Sequence, residues 1–166
     1  MVFNGAQFHL LLNHLPVVGF VGATIALIGA IALKSIEVKR FVLGIVIITG
    51  LSALPALWTG ELAEEVVEHV PGIGKVLIDQ HEEAAQVATV LALVCAAAAA
   101  GALLLQLRKP ESFRKTLPGV FVLCLVAVVV MGIAAHDGGM IRHPEIRSGE
   151  VSHTNKAMSN DRGGDD

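Results

Sequence analysis

The sequence predicts an all-α integral membrane protein, a four-helix bundle with a short amphipathic helix in its outer loop. Hydrophobic residues make up 54% of the 166-residue chain and charged residues only 16%, and the mean hydropathy is +0.67. A soluble domain of this length does not need so much apolar surface, so lipid should be the solvent for much of it. Four apolar stretches are long enough to cross a bilayer, at about 8–33, 41–58, 84–107 and 117–135.

These stretches define one transmembrane domain, residues 1–143, followed by a polar outer-side tail, residues 144–166. The short connections after the first and third spans predict that neighbouring spans are antiparallel. No Lys or Arg precedes Lys34, so we expect the first span to be a retained helix and not a cleaved signal peptide. Cys95 and Cys124 lie within apolar runs and are expected to be small buried core residues.

The basic residues predict the orientation of the chain. They cluster in the connections after the first and third spans, at Lys34, Lys39, Arg40, Arg108, Lys109, Arg114 and Lys115. The connection between the second and third spans, residues 61–83, contains one Lys and seven acidic residues. By the positive-inside rule, both basic connections are cytoplasmic. We therefore expect a multi-pass protein of the bacterial inner membrane with both termini in the periplasm.

The acidic outer connection has a helical pattern of its own. Its first part alternates acidic residues at helical spacing with apolar ones, at Glu61, Glu64, Glu65 and Glu68 and at Leu62, Val66 and Val67. This pattern predicts a short helix over residues 61–70 lying on the membrane surface. The Pro-Gly-Ile-Gly sequence at residues 71–74 is a turn signal that should end it.

All seven histidines fall at the outer end of this topology, at His9, His14, His69, His81, His136, His143 and His153. Interfacial histidines are often merely solvated, but ionisable groups at membrane depth frequently mark a functional site. His14, His81 and His136 should share one level, because the first and third spans begin there and the fourth ends there. His9 and His14 are about 140° apart around a helix, so only one of them can face the bundle interior.

Facing imidazoles on two helices of a bundle can hold a haem iron from both sides. We predict His14 and His81 as the axial pair of a haem b, because their spans lie across the diagonal of an up-down bundle. His136 is the first substitute for either ligand. Arg142 and Arg147 could provide the cations for the two propionates.

Other metals remain alternatives at the same histidines. Zinc would recruit a nearby carboxylate, and Glu82 and Glu83 are available for that role. Copper would favour a nearby thiolate, but Cys95 and Cys124 are several helical turns too deep.

Two adjacent glycines, Gly138 and Gly139, follow the last span. They predict a tight turn back towards the membrane that brings Arg142 and His143 over the outer mouth of the bundle. The alternative is a simple helix C-cap followed by a surface strand.

Several segments together resemble a known group of proteins. They are the Leu-Asn-His-Leu-Pro sequence at 12–16, the acidic segment 59–69, Pro71-Gly72, the His-Glu-Glu-Ala sequence at 81–84 and the segment 138–147. In these segments the chain resembles the uncharacterised DUF2231-type four-span bacterial membrane proteins, some of which are thought of as haem-binding. The resemblance covers about residues 9–147. It implies the four-span fold and favours haem, and it implies no substrate.

The pattern favours a membrane b-type cytochrome that transfers electrons at the periplasmic face as part of a larger redox complex. Its partner would be a c-type cytochrome, steered by the acidic loop, or other subunits of a respiratory or photosynthetic complex. Quinone chemistry nearby, with Glu82 or Glu83 relaying protons, is a further option. The alternatives are a cofactor-free structural or accessory subunit and a metal transporter. The net charge of −3 argues against nucleic acid as a partner, and hydrolase motifs are missing from the sequence.

We expect tags at both termini to be accessible only from the outside of the cell membrane, because the basic connections hold the other face in the cytoplasm. Protease treatment of spheroplasts carrying a tag at either end measures this. A cytoplasmic terminus would contradict both the orientation and the shared level of the histidines.

Overall fold

The computed structural model describes residues 4–33, 35–70 and 73–147. In these ranges every regular element is a helix, in the order α1 Gly5–Leu12, α2 His14–Ala32, α3 Ile36–Leu51, α4 Ala53–Val67, α5 Lys75–Arg108, α6 Pro110–Arg142 and a 3-10 turn Pro144–Ile146. Lys34, Pro71-Gly72, His153 and the tail beyond Arg147 were part of the predictions above and lie outside the described residues.

Four helical runs are long and apolar enough to cross a membrane, which confirms the predicted four spans. They are Gly5–Ala32, Ile36–Val67, Lys75–Arg108 and Pro110–Arg142, of 28, 32, 34 and 33 residues. Helices of these lengths measure about 40–50 Å, against a hydrocarbon layer of about 30 Å. The helices are therefore longer than the apolar cores read from the sequence, and their ends extend beyond the lipid.

The first two spans are each built from two helices. The first breaks at Asn13, between α1 and α2, and the second breaks at Ser52, between α3 and α4. The predicted outer-loop helix forms over Glu61–Val67, but as the last two turns of α4, which continues the second span. Within Glu61–Val67 the buried residue is Ala63. Because α1 packs against α4 at this end, protein covers part of the apolar face of these two turns.

The spans form a closed four-sided bundle in chain order. α2 packs against α3, α3 against α5, α5 against α6, and α6 returns to α2. The first and third spans therefore lie across the diagonal, as the up-down arrangement predicts.

The contact between α5 and α6 depends on small side chains. Along α5 the buried residues recur at alternating steps of four and three, at Ala88, Ala92, Cys95, Ala99 and Ala102. The buried residues of α6 follow the same spacing, at Leu117, Val120, Cys124, Ala127, Met131 and Ala134. This is the 3.5-residue period of two helices that pack along a continuous seam. Cys95 and Cys124 meet in the middle of this seam with no exposed surface, which confirms that they are buried core residues.

Gly50 allows α3 to approach α5 closely. A Cβ atom at Gly50 would lie 2.5 Å from the Ala92 carbonyl oxygen and 2.8 Å from the Ala96 Cβ. A methyl group at this position would therefore collide with the backbone of α5, which cannot move aside as the end of a flexible side chain can. In a bundle without a hydrophobic driving force between helices, such close approach supplies much of the attraction.

We expect Gly50→Ala to destabilise the bundle by about 1–3 kcal/mol, the usual range for overpacking. Gly44→Ala is the matched control on the same helix, since a Cβ there meets nothing within 4 Å. Thermal unfolding in detergent should show a lower midpoint for Gly50→Ala and an equal or higher one for Gly44→Ala. Equal midpoints for Gly50→Ala and the wild type would contradict the close contact.

Candidate functional site

His9 and His81 face each other at the end of the bundle that the sequence predicts to be outside, which we call the outer end. Their ring centroids are 6.3 Å apart and the ring planes meet at 74°, an edge-to-face arrangement. His9 lies on α1 in the first span and His81 on α5 in the third, and both are half-buried. The structure thus brings together one imidazole from each of the two diagonal spans. In the first span that imidazole is His9 and not the predicted His14.

Each ring is anchored by its Nδ1 atom to a backbone carbonyl. The His9 Nδ1 lies 3.1 Å from the Ala56 oxygen, and the His81 Nδ1 lies 2.9 Å from the Ala134 oxygen. A carbonyl oxygen can only accept, so Nδ1 carries the proton and a neutral ring keeps a lone pair on Nε2. A hydrogen bond of this kind, which fixes the tautomer and orientation, usually accompanies a metal-ligating histidine.

Each histidine ring packs against a glycine on the neighbouring helix. The carbonyl that accepts from His9 is four residues before Gly60, and the carbonyl that accepts from His81 is four residues before Gly138. A Cβ atom at Gly60 would lie 3.4 Å from the His9 Cε1, and one at Gly138 only 2.9 Å from the His81 Cε1. In each case an Ala-x-x-x-Gly sequence on the neighbouring helix provides the carbonyl that accepts from the ring and the glycine that leaves room for it. Both sequences can be read from the chain, but which histidine packs against each of them depends on which helices are neighbours.

Asn13 adds an unused acceptor one helical turn from His9. Its side-chain Oδ1 is buried and has no hydrogen-bond partner among the described residues. Residues four apart lie on the same face of a helix, so this amide belongs to the His9 side of the first span. Leaving a buried acceptor unpaired costs about 1–3 kcal/mol, which makes it a place where a water or a ligand donor would be stabilising.

His14 and His136 are placed differently from the prediction. His14 is exposed, and its Nδ1 lies 3.1 Å from the Leu10 oxygen of its own helical run. His136 is also exposed, two residues beyond the Ala134 carbonyl that holds His81. The angular separation of His9 and His14 places only one of them inside, and the packing of α1 on α4 selects His9.

The predicted turn at Gly138-Gly139 is wrong, because α6 remains helical through both glycines to Arg142. Gly138 is needed for the His81 ring instead. The chain turns only after His143, and Arg147 folds back, with Nε donating to the Met140 oxygen at 2.7 Å and Nη2 to the Ile141 oxygen at 3.0 Å. This side chain satisfies two of the carbonyls left open at the end of α6.

The remaining predicted site residues lie beyond this helix end. Arg142 and His143 are exposed, and the His143 Nδ1 lies 2.8 Å from the Glu145 Oε1. Hydrogen bonds from its own backbone N–H and from His143 hold the pKa of Glu145 below its usual range.

A conventional metal site built only from protein ligands is not found in the described part of the chain. No group of three or more His, Cys, Asp or Glu side chains there could hold a metal ion. Of the carboxylates considered for zinc, Glu82 accepts a hydrogen bond from Gln86 at 3.0 Å and Glu83 is exposed. Two imidazoles suit a cofactor that brings its own additional ligands to the metal.

Comparisons with protein-family models, with curated proteins and with solved structures give no match to this chain.

We expect Gly138→Ala to displace the His81 ring, because the new methyl group would overlap it. Gly139→Ala is the matched control, since its Cβ would meet the Ile146 Cδ1 at an ordinary 3.7 Å. In ¹⁵N spectra of histidine-labelled protein, the Nδ1-protonated His81 signal should shift or broaden in Gly138→Ala only. An unchanged signal in Gly138→Ala would contradict the contact between His81 and Gly138.

Proposed function

We propose that the protein is a membrane b-type cytochrome in which His9 and His81 hold the haem iron at the outer end of the bundle. One observation carries this proposal. Two half-buried imidazoles from the diagonal spans face each other, and a backbone carbonyl fixes each of them with its Nε2 lone pair unused.

The donor set fits this group. Two imidazoles from different spans, each with an Nε2 atom that makes no hydrogen bond to the described residues, lie with their centroids 6.3 Å apart. Because the rings meet edge to face, at least one would rotate to bind a metal that both share. When bound, haem would bring the further nitrogen ligands that the protein lacks and would supply a one-electron couple. The Asn13 Oδ1, which has no partner among the described residues, offers a further polar contact one helical turn from His9.

The protein's own groups would tune such a site. The carbonyls of Ala56 and Ala134 orient the two rings and make the Nε2 atoms more basic, which strengthens ligation and favours the oxidised state. The end of α4 carries Glu61, Glu64 and Glu65 close to this level, and they leave a negative surface at the outer end. Such a surface suits a basic redox partner such as a c-type cytochrome, by electrostatic steering. With the basic connections in the cytoplasm, this end faces the periplasm. The DUF2231-type resemblance supports the same proposal.

A cofactor-free accessory subunit is the second candidate. The observation that favours it is that the same two hydrogen bonds join helices, α1 to α4 through His9 and α5 to α6 through His81. On this hypothesis the rings serve helix packing alone. Both hypotheses predict that the histidines stabilise the bundle, and only the first predicts a chromophore.

The visible spectrum of protein expressed with added haem precursor separates the two candidates. We expect a Soret band and the sharp reduced α band of low-spin bis-imidazole iron. His9→Ala and His81→Ala should each lower the haem content at least about tenfold, because loss of a supporting group alone already costs about 10–100-fold. His69→Ala, an exposed histidine on the same face, should retain it.

Thermal unfolding of the same variants controls for loss of the fold. Well-folded wild-type protein without a Soret band would contradict the cytochrome and favour the accessory subunit. Haem retained in His9→Ala but lost in His14→Ala would restore the pair predicted from the sequence.

A further inference from the structure

An open pocket lies at the opposite, basic end of the bundle. It has a volume of about 280 Å³ and lies between the end of α2 and the beginnings of α3 and α6, lined by Ile31, Ala32, Leu33, Lys39, Arg114 and Leu117. Three of the four spans therefore contribute to it. Among the described residues, its lining contains two cationic side chains and no acidic one.

Lys39 is the unusual member of this lining. It is only 5% exposed, yet no hydrogen bond or ion pair reaches its ammonium group from the described residues. The adjacent Arg40 points elsewhere and donates to the Gln106 Oε1 at 2.6 Å. The stem of Lys39 is buried, but its ammonium nitrogen is not among the buried unpaired atoms and therefore reaches accessible space. Because Lys39 lines the pocket, a cation without a protein partner is held at the pocket wall, which indicates where an anion would bind.

The surroundings favour an anion that is attached to a hydrocarbon chain. The pocket is at the ends of the spans, where the charged headgroups of a bilayer lie. Beside it, α2 exposes apolar side chains three residues apart, at Ile25, Ile28 and Ile31, and Leu33 is exposed just beyond its end. A phosphate diester between Lys39 and Arg114 would allow its acyl chains to follow these side chains. Basic pockets between spans on the cytoplasmic side bind anionic lipid headgroups in this manner.

We propose that this pocket binds the phosphate of an anionic phospholipid, with Lys39 and Arg114 as its cationic partners. The lipid phosphate pairs with the Lys39 ammonium and joins the first, second and fourth spans at the basic end. This site is independent of the histidines, so it stands whether or not the protein binds haem.

The test uses delipidated full-length protein in a neutral detergent. Phosphatidylglycerol and phosphatidylcholine with the same acyl chains are added, and bound lipid is counted by native mass spectrometry alongside the thermal midpoint. We expect phosphatidylglycerol to bind preferentially and to raise the midpoint, since a ligand specific to the folded state stabilises it. Lys39→Met and Arg114→Met should each lower the preference about fivefold, the usual effect of one cation near a membrane surface.

Lys115→Met is the matched control, because Lys115 is exposed one residue from Arg114 and does not line the pocket. It should keep the preference of the wild type. Arg114→Met tests the proposal by itself if Lys39→Met fails to fold. Equal binding of the two lipids, or a full preference in both pocket variants, would overturn the proposal. An equal rise of the midpoint with inorganic phosphate alone would assign the site to a free anion and overturn the lipid.

Discussion

Small side chains along α5 let α6 lie close to it, and the geometry of the outer end depends on this contact. The seam runs through Ala92, Cys95 and Ala99 without a bulky residue of α5 to separate the two backbones. At its outer end the same closeness places the His81 ring over Gly138 and within hydrogen-bond distance of the Ala134 carbonyl. Larger residues on this seam would separate the two backbones and move the Ala134 carbonyl away from the imidazole. Lipid has no acceptor that could replace this carbonyl and hold the ring in place.

The break at Asn13 has a comparable role in the first span. It separates α1, which packs on α4, from α2, which packs on α3 and α6. Asn13 itself keeps helical backbone angles and donates its N–H to the His9 carbonyl, so α1 and α2 follow each other closely. Its buried side-chain oxygen has no partner among the described residues and lies one helical turn from His9. Unsatisfied groups of this kind are uncommon in folded proteins and are concentrated at functional sites.

The two ends of the bundle have opposite chemistry. Among the described residues, the outer end has acceptors without a partner, on two imidazoles and one amide, together with a surface of glutamates. The basic end has a donor without a partner there, the Lys39 ammonium in the pocket wall. The first arrangement suits a metal centre or a donor ligand, and the second suits an anion. Because the hydrocarbon layer separates them, neither set can neutralise the other, and each depends on what binds at its own face.

The sequence by itself determined the four spans, their antiparallel order, the buried cysteines and the gathering of histidines near one end, since these depend only on hydropathy and on position along the chain. It could not determine which histidine faces inward. His9 and His14 are equivalent in a helical pattern, and only the packing of α1 against α4 distinguishes them. The sequence around Gly138 predicts a turn, because the contact that requires a glycine there is with His81, 57 residues away in the chain. The sequence likewise does not distinguish Lys39 from the other basic residues of its connection, since its place in the pocket wall depends on three packed spans. Pairings of this kind are decided by tertiary contacts, because local sequence does not encode which distant side chain will occupy a given space.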